Sequence, residues 1–345
     1  MPSPVEFGTV DGKTVHSVTL GAPDGFHARL ISFGARLTEL HVPDRAGRLA
    51  DVVLGYDRLQ DYVDSTTYFG ATCGRFANRM ADGQFMLDGQ TWQLDRNEGP
   101  NHLHGGSAGF DRKVWAIADL SDLSVTFTAT SDDAEMGYPG RCDLRCTYAL
   151  DPVGCLSVTM EAETSRTTVM NMVHHSYFNL AGQGSGTVLD QQIRFDSRFH
   201  TPVDDALLAT GEVLSSRGTP FDFNDAKPIG RDLHLVSGGR GYDHNFCLAS
   251  ADPMHLCAEA HDRVSGRRLV LTTSEPGVQF YTGGYLSDDM IGKQGSRLCR
   301  YAGFTLETQR FPGTPGFGHF PPGRLDPGQT YRHRMEFVFS ADAGG

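Results

Sequence analysis

"CLSVTMEAET", residues 155–164, alternates apolar and polar side chains almost without a break: Leu156, Val158, Met160 and Ala162 fall on one side, Ser157, Thr159, Glu161 and Glu163 on the other. A period of two is the mark of a strand with one face on a core, because successive side chains of an extended chain point to opposite faces. "LSVTFTAT" (123–130) and "RMEFVF" (334–339) repeat the pattern. Turn signals separate such runs, among them "DGQ" at 88, "DPVG" at 151, "SGGRG" at 237 and "DPGQ" at 326, in a chain with 41 Gly and 17 Pro. Helical periodicity is nearly absent; its best case, "YDRLQDYV" (56–63), is two turns long. No repeat, low-complexity tract or linker interrupts the sequence. The expectation is therefore all-β: one domain over residues 1–345, built as a large antiparallel β-sandwich whose sheet-end loops carry the function.

The totals limit what that domain does. Thirty Lys and Arg stand against 42 Asp and Glu, a formal charge of −12. Such a surface repels phosphate backbones and anionic lipid, so nucleic acid and membranes are not expected as partners. No apolar run approaches the length of a bilayer span, and the start "MPSPVEFGTV" lacks the basic and apolar regions of a signal peptide, which makes a cytoplasmic protein the expectation. Seven cysteines, an odd number without a CxxC pair, read as reduced thiols rather than as a disulfide framework or a metal site. The glycine stretches "GQGSG" (182–186) and "GGRG" (238–241) lack the strand-to-helix setting of a nucleotide loop and read as turns.

Five segments gather side chains capable of chemistry: "GRFANRM" (74–80), "NHLHGG" (101–106), "NMVHHSYFNLAG" (171–182), "GYDHNF" (241–246) and "FTLETQRFPGTPG" (304–316). His102 and His104 form an HxH pair that on a strand would share a face and could hold a metal, but no Glu follows to complete such a site. His174 and His175 would face opposite ways, so only one can enter a given pocket. An imidazole that titrates near neutrality can give and take a proton in one turnover. Glu307 shares a strand face with Thr305, opposite Phe304 and Leu306, and is either solvated or a base whose proton affinity burial has raised. Asp243 is open to a turn role, and Arg75 and Arg79 are each either a surface charge or a fork for hydroxyl groups.

Together these segments resemble the aldose 1-epimerase family, also called mutarotases. The resemblance is carried, in order, by "FGARLTELHVPDRAGRLADVVLGYD" (33–57), "GRFANRM", "NHLHGGSAGFDRKVW" (101–115), "EMGYPG" (135–140), "HSYFNLAG" (175–182), "GYDHNF", "PGVQFYTG" (276–283) and "LETQRFP" (306–312), and spans about residues 20–340. It implies a β-supersandwich with a sugar cleft, no cofactor and no metal, and acid/base interconversion of the α and β anomers of an aldohexose such as galactose or glucose. On the matching positions it implies Glu307 as general base, His175 as general acid and His104 beside the same ring-opening chemistry. Asn78, Arg79, Tyr177, Asp243 and Gln279 would hold sugar hydroxyls. The partner implied is a small-molecule aldose, and the chain is expected as a monomer or homodimer. His174 stands where relatives often carry Asn. Gly313, Gly316 and Gly284 depart from the family's usual residues in loops expected to rim the cleft, which bears on substrate preference rather than on reaction type. The residues by themselves also admit a noncatalytic sugar-binding module, a glycoside hydrolase using Asp243 and Glu307, and a metal-dependent oxygenase. A relative acting on hexose 6-phosphates would need a basic pocket, of which the sequence shows no sign beyond Arg75 and Arg79.

Overall fold

Residues 155–164 form the Cys155–Thr164 strand, and their alternation is that of burial: Leu156, Val158, Met160 and Ala162 are buried while Ser157, Thr159 and Glu161 are half-exposed. In the computed structural model, which describes residues 3–236, 239–249 and 252–342, this strand lies in the middle of a nine-stranded sheet. Its neighbours are Cys142–Asp151 and Thr330–Ala341, both antiparallel and in unbroken register. The sheet continues through Ser124–Ser131 to Ala116–Leu120 on one side. On the other it runs through Arg267–Thr273, His255–His261 and Gln192–Phe195 to Lys227–Pro228. Every one of these pairings is antiparallel, as expected for alternating sequences joined by tight turns.

A six-stranded antiparallel sheet packs across it, in the order Tyr177–Phe178, Phe304–Gln309, Gly277–Tyr281, Asp243–Leu248, Ser197–Thr201 and Leu214–Ser215. Aromatic side chains fill the space between the sheets. Phe195 of the larger sheet lies 4.6 Å from Phe246 and 5.1 Å from Phe280 of the smaller, and Phe178 lies 5.4 Å from Phe337. These rings belong to one continuous buried cluster, and each fully buried Phe contributes roughly 1.5–3 kcal/mol relative to exposure. A five-stranded meander from Val5–Val10 to Leu49–Asp51 adds its own inner face to the same core.

Two short ladders position the site. Ala71–Cys73 pairs with Val173–His175, and Arg79–Met80 pairs with His102–Leu103. The expected helix is present but starts later, as Leu59–Asp64, because Arg58 is still extended. The glycines of "GQGSG" take left-handed φ values of 109°, 82° and 90°, which makes the stretch a turn. In "SGGRG" and "GGRG", Ser237 and Gly238 lie outside the described residues. Among the described residues no helix is long and apolar enough to cross a membrane.

Candidate active site

The strand Phe304–Gln309 has two faces with different fates. Phe304 and Leu306 join the core between the sheets, and Thr305 and Glu307 point the other way. Register then builds a polar floor on that second face. Thr305 stands opposite Tyr177 and Tyr281, Tyr281 opposite Asp243, and Glu307 opposite Gln279. Above this floor the two short ladders bring in His175, Asn78, Arg79 and His104. The result is a cavity of about 410 Å³ whose wall includes Tyr68, Glu98, Tyr285 and Leu207 besides seven of the eight expected site residues. That volume lies toward the lower end of the roughly 300–1,000 Å³ of small-molecule sites. A larger groove of about 710 Å³ on the outer face of the nine-stranded sheet is a poorer candidate. Its charged residues, such as Arg332 and Glu161 at 2.6 Å, pair with each other across a solvated surface.

Glu307 is buried against the cavity floor. Its Oε1 accepts a hydrogen bond from Thr305 Oγ1 at 2.8 Å and lies 3.5 Å from His175 Nε2, while Oε2 has no hydrogen-bond partner among the described residues. Burial pushes its pKa up to about 8; Thr305 opposes that shift, Asp243 adds to it, and Arg79 opposes it. Burial also pulls His175 down to about 4, and His104 falls well below 6.5 for the same reason, helped by the neighbouring His175 and Arg79. The two imidazoles meet edge to face with centroids 5.1 Å apart, and Tyr68 packs against both, at 4.7 Å from His104 and 5.6 Å from His175.

His104 and Asn78 hold each other. Both have left-handed φ, 51° and 63°, a conformation that Asn and His adopt more readily than most residues. The His104 N–H donates to Asn78 O at 3.2 Å, and the Asn78 N–H donates to His104 Nδ1 at 3.3 Å. Accepting at Nδ1 puts the proton of neutral His104 on Nε2. This bears on metal binding, since ligand atoms of His104, His175 and Glu307 all lie within 4.8 Å of one another. A metal-bound imidazole uses its second nitrogen as a donor, to a carbonyl or carboxylate. Here the second nitrogen is an acceptor, so His104 offers an N–H donor where a metal would require a lone pair. Among the described residues the other cluster of this kind is Glu39, His41 and Asp51, where the Lys293 ammonium already stands 2.6 Å from Asp51 Oδ2.

The family model described as aldose 1-epimerase matches residues 16–338. The galactose mutarotase of Bos taurus is 43% identical over 337 residues, covering 98% of this chain and 96% of its own length. The aldose 1-epimerase of Escherichia coli (strain K12) is 31% identical over 339 residues, covering 96% and 97%. Among solved structures, the galactose 1-epimerase of Lactobacillus acidophilus superposes with a TM-score of 0.85 at 26% identity, with 99% of both chains covered. The chain belongs to the aldose 1-epimerase family.

Several side chains of this aldose 1-epimerase family member sit differently from their expected places. Gln279 lies one layer behind the cavity wall, donating to Asp243 Oδ1 at 2.6 Å and accepting from Gln309 Nε2 at 3.2 Å. Asp243 begins a strand and is held by that neighbouring side chain rather than serving a turn. Arg75 is neither a surface charge nor a fork for a ligand's hydroxyl groups, since it is off the cavity wall. It is buried and donates to the backbone carbonyls of Pro139 and Gly140 at 2.7 and 2.8 Å and to Ser131 Oγ at 2.7 Å, tying its own segment to the 139–140 turn and to the end of the strand Ser124–Ser131. The HxH pair does not share a face, because the ladder ends at Leu103 and His104 turns left-handed. His102 is spent on Asp95 O and Tyr138 Oη, each at 2.6 Å.

His174 packs between Tyr148 and Phe337, with both ring centroids 5.8 Å away. Gly284, Gly313 and Gly316 are not on the cavity wall. A Cβ at Gly284 would come within 1.7 Å of Arg240 O, so the approach of that loop demands glycine. Its neighbours Tyr285 and Leu286 do line the cavity. Glu98, Tyr68 and Leu207 escaped sequence reasoning. Glu98 had one signal, its place in the turn just ahead of "NHLHGG"; Leu207, on the tip of a separate hairpin closed by the Val203–Ala209 bridge, had none.

Proposed function

We propose that this protein is an aldose 1-epimerase that interconverts the α and β anomers of an aldohexose such as galactose or glucose. The observation that carries the reading is the placement of Glu307 and His175 side by side, 3.5 Å apart, in the wall of one cavity. Opening a pyranose requires one group to take the proton of the anomeric hydroxyl while another gives a proton to the ring oxygen. The single proton of the pair rests mainly on Glu307, and in the form that carries it on His175 instead, Glu307 takes the first proton and His175 supplies the second, whereupon the bond between C1 and the ring oxygen breaks and the open-chain aldehyde forms. After rotation about the C1–C2 bond both transfers reverse. Positioned groups of this kind contribute about 10²- to 10⁴-fold each, enough for a reaction that already proceeds slowly in water.

The remaining residues orient the sugar. His104 Nε2–H donates toward the ring-opening atoms. The Oδ1 of Asn78 is used on the Arg79 N–H at 2.8 Å, so its amide nitrogen is the end left for a hydroxyl. Arg79 and Tyr177 donate to hydroxyls and Asp243 accepts from them, while Gln279 acts through Asp243 by fixing its carboxylate. Among the described residues Arg79 is the one arginine or lysine on the cavity wall, which it shares with the carboxylates of Glu98, Asp243 and Glu307, and that balance favours a neutral sugar.

Polarimetry on freshly dissolved α-D-galactose and α-D-glucose tests this directly. The expected result is mutarotation well above the buffer rate with no added cofactor. A rate equal to buffer for every neutral aldose tried would leave a sugar-binding protein instead.

A further inference from the structure

One edge of the Arg79 guanidinium is already taken. Nε and one terminal nitrogen donate to the two oxygens of Glu98, both at 2.8 Å, the parallel arrangement in which guanidinium and carboxylate bind best. The other terminal nitrogen faces Asp243 Oδ2 at 3.7 Å. The local backbone is built to deliver Glu98. The Asn97 side chain grips Leu103 twice, donating to its carbonyl at 2.9 Å and accepting from its N–H at 2.8 Å. Glu98 and Asn101 exchange backbone hydrogen bonds at 3.1 and 3.0 Å. Leu103 is the residue opposite Arg79 in its ladder, so the carboxylate is anchored to the same two strands as the guanidinium it meets.

We propose that Glu98 is a specificity-determining residue that makes the cavity select neutral aldoses over anionic ones by keeping the fork of Arg79 closed. The inference rests on the epimerase reading and assigns its substrate class. An open guanidinium fork is the side chain best suited to bind carboxylate or phosphate. With Glu98 in the fork, an anionic sugar has to displace an existing bidentate pair and bring its charge beside Asp243. A hydroxyl needs only one N–H, which the free terminal nitrogen still offers. Glu98 is thus a positioning residue that acts through Arg79 and also sets the charge of the wall.

The test follows mutarotation of α-D-galactose by wild type, Glu98→Gln and Glu98→Asp, each with added D-galacturonate or inorganic phosphate. Wild type is expected to resist both anions at concentrations several times the KM for galactose. Glu98→Gln keeps the shape and loses the charge. Its KM for galactose should rise several-fold, and both anions should become competitive inhibitors with inhibition constants lowered on the order of tenfold. Glu98→Asp retains the charge and should retain anion resistance, whatever it loses in KM.

Competitive inhibition of wild type by either anion overturns the proposal, and so does Glu98→Gln that resists both as wild type does. Should Glu98→Gln fail to fold, Glu98→Ala, which also removes the charge, is read in its place: competitive inhibition by the two anions supports the proposal and resistance like that of wild type overturns it. Absence of mutarotation by wild type on every neutral aldose is a different outcome, and counts against the epimerase reading itself.

Discussion

Two carboxylates in this protein are buried alike and placed differently. Burial pushes Glu307 up to about 8 and Glu275 up to about 7, and each has an oxygen with no hydrogen-bond partner. Glu275, however, keeps a standing counter-ion, with Arg310 Nε 3.1 Å from its Oε2, and no cavity reaches it among those whose walls are described above. Glu307 has no such cation: among the described residues it meets the Thr305 hydroxyl and the His175 ring, and it borders the cavity. Raised proton affinity is therefore common to both, and access to a ligand separates them. A perturbed carboxylate marks a base only where a substrate can touch it.

The largest test of that distinction is Glu307→Gln, which keeps volume and hydrogen bonding but cannot take a proton. Turnover should fall roughly 10²- to 10⁴-fold while galactose still binds, as measured by polarimetry and by calorimetric titration. A near-normal rate would put the base elsewhere. The pH profile sharpens the same point. Between about 4 and about 8 the Glu307–His175 pair holds one proton in total, and that is the state that can give one proton while taking another. Activity should therefore decline above about 8, where the pair loses its proton, and below about 4, where it gains a second.

How far the sequence reveals this contrast depends on which physical signal each residue leaves. Period-two alternation was enough to read the strands and the two-layer core, because burial of one face dictates it residue by residue. The site residues were legible through the ordered family motifs, since Glu307, His175 and Asn78 sit inside "FTLETQ", "NMVHHSYF" and "GRFANRM". What sits behind or beside them was not. Gln279 stands opposite Asn245 and meets Asp243 diagonally across the same pair of strands, a contact that sequence spacing within either segment does not encode. His104 left the HxH pattern because one left-handed residue ended its ladder. Arg75 and Arg79 look equivalent in "GRFANRM", yet the first is consumed by backbone carbonyls and the second reaches the cavity.

The two adjacent histidines repeat the carboxylate contrast on a smaller scale. His175 lines the cavity, and His174 faces the core, where its Nδ1 meets Tyr148 Oη at 3.3 Å. His175→Asn should lower kcat about 10²-fold, the lower end of an acid's contribution, whereas His174→Asn should change it less than about threefold. Steady-state polarimetry of the two variants side by side distinguishes them. Equal losses would mean that packing between the sheets, and not proton transfer, explains the effect at His175.

The smallest effect belongs to Glu275, and it separates stability from catalysis. Its folded pKa of about 7 is above the usual carboxylate value of 4.5, so the protonated side chain favours the folded state. That contribution is complete below about 4.5, where folded and unfolded chains both hold the proton, and is lost as pH rises toward 7, on the order of 3 kcal/mol in all. Glu275→Gln removes this titration. Thermal melts between pH 5 and 7.5 should show a shallower decline in Tm for the variant than for wild type, by a few degrees, while kcat stays within about twofold. Glu307→Gln should flatten the same curve over a range extending to about pH 8, but with the large loss of turnover given above, because its destabilising burial sits where the sugar is turned over. Parallel melting curves for wild type and Glu275→Gln would mean that Arg310 already holds Glu275 ionised through the whole range, and the likeness between the two carboxylates would then extend no further than burial.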